Sequence, residues 1–364
     1  MFKSKEGSTK QLIEFCFGYF FFYVITGITV KYFTGLPQNG FPGLSEMEYL
    51  VYNTIGGNFL ALVTVLSLRW YRIQSNGKSK ILGLNIPSEL IYIIPSGICT
   101  AVIIPTTTLM YTLPITVMIA MVIMRGSIIV ISRIIDEIQI RQGILKKKVY
   151  WEENVAVLFA IIAVLANLIN IKPDGFDFLG SPAAVTILIC YLIAYSIRIY
   201  IMNYYKNTRG KGVKQDNKGF FAIEQIAASS VMIIAGVILF NSTNLFDTSA
   251  KQIIDFRNSF IAPNPSWGWA GISGFAFGIL AFFSVFIFMF KGRTATFAGL
   301  VNRLTSLMAG TAATLLFALL WGGKFPKLED WITLGFILIA VAFLTRSEKK
   351  RMAELIASHE VDVK

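Results

Sequence analysis

Residues 117–136 read VMIAMVIMRGSIIVISRIID, a stretch made mostly of Val, Ile, Met and Ala with Arg125 near its middle. About 20 mostly apolar residues are enough for a helix to cross a bilayer. A guanidinium keeps its charge at any physiological pH and is costly inside hydrocarbon. The stretch therefore raises two questions: whether the whole chain is a membrane protein, and what Arg125 does inside an apolar segment.

Composition assigns the chain to the integral membrane proteins. Hydrophobic residues make up 55% and charged residues 15%, and the mean hydropathy is +0.62. Soluble domains carry about 25% charged residues, so this chain lacks the polar surface that water requires. Its net charge of +12 is better explained by basic loops that orient the chain in a lipid bilayer than by a nucleic-acid partner.

Ten apolar segments are long enough to span, and they predict an all-α membrane protein with ten transmembrane helices. Pro114 opens the fourth segment and separates it from the third. A short surface helix is expected in the loop at 241–267, from the sequence AKQIIDFRNSF. The ten predicted segments are 12–33, 49–68, 89–112, 114–137, 152–170, 182–203, 220–240, 268–290, 295–320 and 329–345.

The distribution of basic residues predicts the orientation. If loops alternate between the two sides, one side holds both termini and 23 of the 33 Lys and Arg, while the other side has six. The positive-inside rule then puts both termini in the cytoplasm. In a prokaryote this would be the inner or plasma membrane. The charged tail after Arg346 is expected to be a cytosolic helix or disordered.

The two halves of the chain resemble each other. Arg125 precedes Trp151 by 26 residues, and Arg303 precedes Trp331 by 28. Each pair is an arginine-bearing segment followed by a short, very apolar one that begins with Trp and acidic residues. A duplicated unit of five spans must be inverted in the membrane, as in many secondary transporters. The predicted units are a first repeat, a second repeat and a cytoplasmic tail, at 1–170, 171–345 and 346–364.

With this architecture the chain resembles the drug/metabolite transporter superfamily (EamA-like). Its basic residues in segments four and nine are similar to those of nucleotide-sugar and sugar-phosphate transporters. Residues 299–303, GLVNR, resemble the Gly-Ala-Leu-Asn-Lys motif of GDP-sugar carriers, with Arg303 in place of Lys. Residues 221–225, FAIEQ, stand where the companion Phe-Tyr-Asn-Asn motif would be. The resemblance implies a transporter with its substrate site near the midplane.

Arg125 and Arg303 are the leading candidates for substrate binding. Both lie on helix faces rich in small and polar residues, so we expect them to bind a phosphate or carboxylate in a central cavity. Alternatively, Arg125 pairs with Glu14 or caps carbonyls freed by prolines of the third segment. The other candidate substrate-binding residues are Asn302, Ser306, Ser132, Tyr111 and Tyr195, with Tyr191 a further cavity-lining candidate.

Three acidic residues, Glu14, Glu224 and Asp136, could be proton-coupling groups or counter-charges, and the sequence does not rank these roles. Arg133 and Arg198 lie near the cytoplasmic ends of their segments, so snorkelling is expected for both. Arg133 can also pair with Asp136 or Glu137. Close helix packing, rather than substrate contact, is expected at five glycines: Gly271, Gly274, Gly278, Gly299 and Gly310.

The function expected from these features is secondary transport of a small anionic organic solute, with exchange, uniport and proton coupling all open. The alternative cargoes are a phospholipid-type headgroup and an amino-acid-like or drug-like solute. A membrane-embedded transferase is less favoured, because His359, the only histidine, lies in the tail and the loops lack acidic clusters. We expect no enzyme activity, no cofactor and no metal. The chain could also form a homodimer.

Overall fold

The computed structural model describes residues 6–81, 83–112, 117–166, 182–210, 212–246, 251–322 and 325–357. Within them the chain forms eleven α-helices and one antiparallel hairpin of two short strands. The helices are α1 (Thr9–Phe33), α2 (Glu46–Ser67), α3 (Leu90–Thr112), α4 (Val117–Arg141), α5 (Trp151–Ala166), α6 (Pro182–Asn207), α7 (Asn217–Phe246), α8 (Lys251–Ile261), α9 (Trp267–Phe288), α10 (Ala295–Trp321) and α11 (Leu328–Ala357), and the strands are β1 (Lys78–Ile81) and β2 (Leu84–Pro87).

Eight of the described helices are long and apolar enough to cross a membrane: α1, α2, α3, α6, α7, α9, α10 and α11. Large apolar side chains such as Phe17, Ile233 and Leu338 are exposed on their outer faces. Such faces belong in lipid rather than in water. The protein is therefore an all-α, multi-pass membrane protein, as its composition predicts.

Helices α1 to α7 and α9 to α11 overlap the ten predicted segments, and α8 coincides with the predicted surface helix. The predicted break between segments three and four, at 113, lies outside the described residues, as do positions 167–170 of segment five. One element differs from expectation, because the basic loop after α2 contains the hairpin β1–β2. Of the two forms expected for the charged tail, the structure has the helix, which continues α11 to Ala357.

Side-chain caps explain where several helices begin. Ser8 accepts a hydrogen bond from the backbone N–H of Gln11 at the start of α1. Ser45 and Glu48 form a reciprocal capping box at the start of α2. Thr294 accepts from the N–H of Phe297 at the start of α10. Each cap satisfies donors that the first turn of a helix leaves unpaired.

Glycines let α2 and α9 approach at backbone distance. A methyl group on Gly274 would collide with the carbonyl oxygen of Asn53, and one on Gly278 would lie 2.5 Å from that of Gly57. The predicted packing role is confirmed for these two glycines of α9. Gly271 shares it, since its carbonyl oxygen fills the space beside Gly56.

The other two predicted packing glycines lie on α10 and differ from each other. Gly299 packs against Ser132 of α4, so tightly that a methyl group would collide with the serine hydroxyl. No described atom lies within 4 Å of the position of a Cβ on Gly310. The packing prediction is therefore confirmed for Gly299, whereas among the described residues nothing packs against Gly310.

Polar contacts connect the termini of six helices on one side of the bundle. We call this side the basic end. These contacts join the beginnings of α1, α3 and α10 to the ends of α4, α6 and α11 and their adjoining loops. The contacts are Thr9 with Glu348, Arg209 with Glu89, Asp136 with Ala295, and Arg351 with the carbonyl oxygen of Lys148. All of these segments lie at or beside the side to which the charge count assigns the termini.

Candidate functional site

Two partly buried arginines each donate a hydrogen bond to a tyrosine. Arg125 of α4 donates from Nη2 to the hydroxyl of Tyr23 on α1, at 3.4 Å. Arg303 of α10 donates from Nη2 to the hydroxyl of Tyr195 on α6, at 2.8 Å. The Arg303 guanidinium also lies 5.2 Å from the centre of the Tyr195 ring, where the negative face of an aromatic ring attracts a cation.

A second tyrosine lies one helical turn before the first on α1. The rings of Tyr19 and Tyr23 are 5.7 Å apart. The buried Tyr19 hydroxyl donates to Oδ1 of Asn302, at 3.4 Å. Asn302 in turn donates to Ser284 of α9 at 3.0 Å. Because Asn302 directly precedes Arg303, Tyr19 links α1 to the arginine-bearing turn of α10.

Helix α6 repeats this arrangement. Tyr191 lies one turn before Tyr195, with the two rings 4.8 Å apart. The Tyr191 hydroxyl donates to the backbone carbonyl of Met124, at 3.5 Å. Met124 directly precedes Arg125. In each tyrosine pair, the hydroxyl of the second tyrosine thus bonds one arginine. The hydroxyl of the first tyrosine bonds the residue that precedes the other arginine.

The two clusters form one site. Tyr19 links them, because its ring lies 5.7 Å from that of Tyr23, the partner of Arg125, and its hydroxyl bonds Asn302, the neighbour of Arg303. Arg303 remains partly accessible, and its Nε is buried without a hydrogen-bond partner among the described residues. None of the described acidic side chains forms an ion pair with Arg303. An unpaired N–H beside a cation is the arrangement that a carboxylate or phosphate oxygen would satisfy.

The other predicted binding residues lie in different surroundings. Ser132 and Ser306 are fully buried and donate to backbone carbonyls of their own helices, those of Ile128 and Arg303, both at 2.8 Å. Neither hydroxyl is available to a solute in this conformation. Tyr111 belongs to the last turn of α3, and its side chain lies outside the described part of the structure.

Glu224 is the counter-ion of Arg198. Nε and Nη2 of Arg198 each donate to a different carboxylate oxygen of Glu224 at 2.9 Å, and Ser96 of α3 donates to the same carboxylate at 2.6 Å. Both charged side chains are buried. The prediction that Arg198 snorkels is therefore wrong. Its guanidinium is paired inside the bundle with the Glu224 carboxylate of the neighbouring helix α7.

Asp136 binds the beginning of α10. Its carboxylate accepts from the backbone N–H groups of Ala295 at 2.8 Å and Thr296 at 2.6 Å. It also accepts from the side chain of Asn203 on α6, at 3.2 Å. A carboxylate at a helix N-terminus satisfies unpaired donors and complements the helix dipole. Asp136 thus joins α4 to α10 and α6 at the basic end.

Two further predicted residues lie nearer the basic end than the arginine clusters. Arg133 is only partly exposed and pairs with Glu137, at 3.4 Å, as expected from their spacing. Glu14 is half-buried in α1, nine residues before Tyr23. At 1.5 Å per residue it lies about 13 Å from Tyr23 along the helix axis.

The sequence interpretation missed Tyr19 and Tyr23. Their signal is present in the chain: residues 19–23 read YFFFY and residues 191–195 read YLIAY. Tyrosines four residues apart on a helix share one face. The same pair therefore occurs in the first predicted segment of each half, at corresponding places.

No family model matches the chain, and no curated protein matches it. Sixteen solved chains match it in structure. One of them, a crystal structure of a protein with no further description, covers 94% of this chain and 99% of its own length, with 14% sequence identity and a TM-score of 0.51. At this identity the likeness shows the fold alone, so function has to be argued from the site.

Proposed function

We propose that the protein is a secondary transporter that moves a small anionic organic solute by alternating access, with Arg125 and Arg303 in its substrate site. The observation that carries this proposal is the matched pair of arginine–tyrosine clusters, one from each half of the chain. Charged groups inside a membrane are costly and persist where they have a functional role. Two at corresponding positions are harder to explain as structural accidents than one.

Helix packing supports an inverted repeat. Let α1 to α5 correspond in order to α6, α7, α9, α10 and α11. The contact of α2 with α9 then corresponds to that of α7 with α3, and the contacts of α1 with α9 and with α10 correspond to those of α6 with α3 and with α4. The contacts α5–α11, α4–α10 and α2–α7 correspond to themselves. This is the pattern of two units related by a two-fold axis.

The hydrogen bonds of the site follow the same correspondence. Under it the bond of Arg125 to the second tyrosine of α1 becomes that of Arg303 to the second tyrosine of α6. The bond of Tyr19 to Asn302 becomes that of Tyr191 to Met124. The matching residues are Tyr19 with Tyr191, Tyr23 with Tyr195, and Arg125 with Arg303.

The two arginines lie at similar depths. Helices α4 and α10 are antiparallel, since Asp136 contacts Thr296 while the earlier residue Ser132 contacts the later Gly299. At 1.5 Å per residue, Arg125 is about 17 Å from the level of Asp136 and Arg303 about 11 Å from the same level. Their backbones thus differ by only about 6 Å in depth, and one small solute could contact both guanidiniums.

We further propose that the basic end faces the cytoplasm, which places both termini there. The contacts that gather the charged helix ends and loops at one end of the bundle support this orientation. Lysine- and arginine-rich loops stay on the cytoplasmic side during insertion. The substrate site then lies between a cytoplasmic and an external half-channel.

The proposal is tested with purified protein and a panel of sugar phosphates, nucleotides, nucleotide sugars and carboxylates. A solute that binds only the folded state should raise the melting temperature as its concentration rises. The hit should then be taken up by proteoliposomes. Arg303→Ala should lose the shift. Arg133→Ala, the matched control at a partly exposed arginine paired with Glu137, should keep it.

Two results would contradict the proposal. One is a panel in which only neutral or cationic solutes raise the melting temperature and are transported. The other is an anion whose binding and uptake are unchanged in both Arg125→Ala and Arg303→Ala.

A further inference from the structure

A lysine–threonine bond joins α1 to α10 at the end of the bundle opposite the basic end. Nζ of Lys31 donates to Oγ1 of Thr314, at 2.8 Å, and Thr314 donates to the carbonyl of Gly310 at 3.0 Å. Lys31 is eight residues after Tyr23, and Thr314 is eleven residues after Arg303.

The basic end has a bond at the corresponding position. Asn203 of α6 donates to Asp136 of α4, at 3.2 Å. Asn203 is eight residues after Tyr195, and Asp136 is eleven residues after Arg125. The offsets from the tyrosine and the arginine are the same in both halves. The two-fold correspondence therefore relates the Asn203–Asp136 bond to the Lys31–Thr314 bond.

The paths between the arginines and the two bonds differ. Ser132, seven residues after Arg125, is fully buried against Gly299, so the path toward the basic end is closed. Gly310, seven residues after Arg303, is partly accessible and has no described atom within 4 Å of its Cβ position. Residues seven apart share a helix face. Among the described residues, open space thus lies on the Arg303 face of α10, between the arginine and Thr314.

Aromatic rings surround the lysine bond. Nζ of Lys31 is 5.9 Å from the centre of the Phe317 ring. The Phe317 ring stacks on Trp321 at 5.3 Å and on Phe41 at 5.7 Å, and Tyr32 lies 5.9 Å from Trp321. On α10 the residues Thr314, Phe317 and Trp321 all follow Gly310, so the bond and these rings lie on the side of Gly310 away from Arg303.

We infer that Lys31 and Thr314 form the external gate latch of the transporter, the counterpart of the Asn203–Asp136 latch at the cytoplasmic end. The inference rests on the proposed function. In this conformation the cytoplasmic path is sealed by packed helices, and the external path is closed at the Lys31–Thr314 bond and the aromatic rings beside it. The cytoplasmic latch is the stronger one, since Asp136 also accepts two backbone N–H groups of α10. The external latch opens first.

The latch is tested by thiol labelling, with no solute present. Cys16, Cys99 and Cys190 are replaced by Ala, and Gly310→Cys is introduced as the reporter of the open space. A membrane-impermeant maleimide is added from outside. Lys31→Met should raise the labelling rate about tenfold, which corresponds to about 1.4 kcal/mol in the gate equilibrium. Thr314→Val, which keeps the size of the side chain, should do the same.

Three control variants test the direction of the change in labelling rate and its cause. Asn203→Ala weakens the opposite latch, shifts the population toward the inward-facing state and should lower external labelling. Lys31→Arg retains a donor and should stay near the parent. Lys251→Met, at an exposed lysine of α8, should have no effect. The latch is overturned if Lys31→Met and Thr314→Val both label at the parent rate, or if Asn203→Ala raises external labelling.

Failure of the latch and failure of the proposed function give different results. The same variants are assayed for the anion-induced rise in melting temperature. An Arg303-dependent rise with unchanged labelling overturns the latch alone. Labelling that responds in the expected directions, in a protein that no anion stabilises, supports the latch and overturns the anionic cargo.

Discussion

Each arginine of the site donates a hydrogen bond to a tyrosine, and this bond does not neutralise its positive charge. A phenol oxygen accepts one hydrogen bond, and a ring face adds a favourable interaction with the cation, but neither carries a compensating charge. Arg198 shows the contrast, because Glu224 neutralises it through two hydrogen bonds. Arg303 is therefore positioned without being neutralised, as an anion site requires.

If both arginines contact one anion, their removal should not be additive. Arg125→Ala and Arg303→Ala should each weaken anion binding by about 2–5 kcal/mol, typical for loss of one partner of a desolvated charged pair. The double variant should be little worse than either single one, because both act on the same group. Dissociation constants from titrated melting curves check this.

The melting temperature without solute should stay near the wild-type value or rise in these variants, since the proposed site no longer holds two like charges. A variant that does not fold would assign that arginine a structural role. Strictly additive losses would mean that the two arginines bind separate anions.

Glu89 should make stability depend on pH. It is fully buried just before α3. Burial alone would raise the pKa of its carboxyl, but hydrogen bonds from Ser75, the N–H of Asn76 and Arg209 outweigh burial and lower the pKa from its ordinary 4.5. The stabilisation is then complete above pH 4.5 and is lost as the pH falls through the lowered value.

Melting curves of wild type and Glu89→Gln between pH 7 and pH 3 test this. Glu89→Gln should melt lower at pH 7, and the difference should close on acidification below about 4.5, the ordinary value for glutamate. A difference that is constant over the whole range would mean that the ionised carboxylate contributes nothing.

Elements were predictable from sequence where hydropathy alone decides them. Long apolar runs must form helices in lipid, where every backbone group needs an internal partner. The sequence left the tail as a helix or disordered, and it did not predict that the tail would dock on the bundle, because charged side chains are usually solvated. In the structure Glu348 binds the buried Arg293, and Arg351 lies 3.9 Å from Glu153.

At the site, the sequence named both arginines but not the tyrosines of α1. An aromatic residue within an apolar segment looks the same whether it faces lipid or a partner helix. Only the repeated spacing of Tyr19 and Tyr23 at Tyr191 and Tyr195 distinguishes them. Ser132 and Ser306 were misleading for a related reason: sharing a helix face with an arginine does not reveal how closely the next helix packs.

The docking of α11 predicts a large effect at Glu348. This side chain binds Arg293, which is only 1% exposed, and accepts from Thr9 at 3.0 Å. Glu348→Gln leaves a buried guanidinium without its carboxylate and should destabilise the protein by about 3–5 kcal/mol. Glu354→Gln, at a partner of Arg351 that is 55% exposed, should cost about 0–1 kcal/mol.

Thermal or denaturant unfolding of the two glutamate variants provides the comparison. Equal stabilities for Glu348→Gln and Glu354→Gln would show that the tail helix is not anchored by Arg293. Replacing both Arg293 and Glu348 by apolar residues of similar volume should restore much of the loss, because no unpaired buried charge remains.

The seam between α2 and α9 predicts a steric effect at Gly274. A methyl group there would collide with the backbone carbonyl of Asn53, which cannot rotate away. Gly274→Ala should cost about 1–3 kcal/mol, as overpacking typically does. Gly335→Ala, on α11 with no described atom within 4 Å of its Cβ position, should be neutral or stabilise by up to about 1 kcal/mol through helix propensity. Equal stability of the two variants would contradict the close seam.

At the scale of the whole molecule, the proposed two-fold correspondence would relate the packing, the site and the two inferred latches. Under it the tyrosine–arginine clusters exchange with each other, and the Asn203–Asp136 bond exchanges with the Lys31–Thr314 bond. Two units of the same sequence pattern can adopt each other's conformation. Alternating access then requires only that the halves exchange their packing, so that the sealed and the open path change sides.

This scheme holds only if α4 and α5 cross the membrane, and labelling of exposed lysine positions decides that. Lys80, Lys146, Lys214 and Lys251 are all exposed. In a chain without its native cysteines, Cys at position 251 should react with an impermeant maleimide in intact cells. Cys at the other three positions should react only after permeabilisation, since an even number of spans separates each from the next.

Position 146 is the informative one, because it lies between α4 and α5. If those helices do not span, position 146 is displaced to the external side, while positions 80 and 214 keep the sides they have now. Labelling at both 146 and 251 in intact cells, with 80 and 214 protected, would therefore remove two spans and the inverted repeat with them. Labelling at 80, 146 and 214 together, with 251 protected, would reverse the orientation but keep the repeat, and Lys31–Thr314 would then be the cytoplasmic latch.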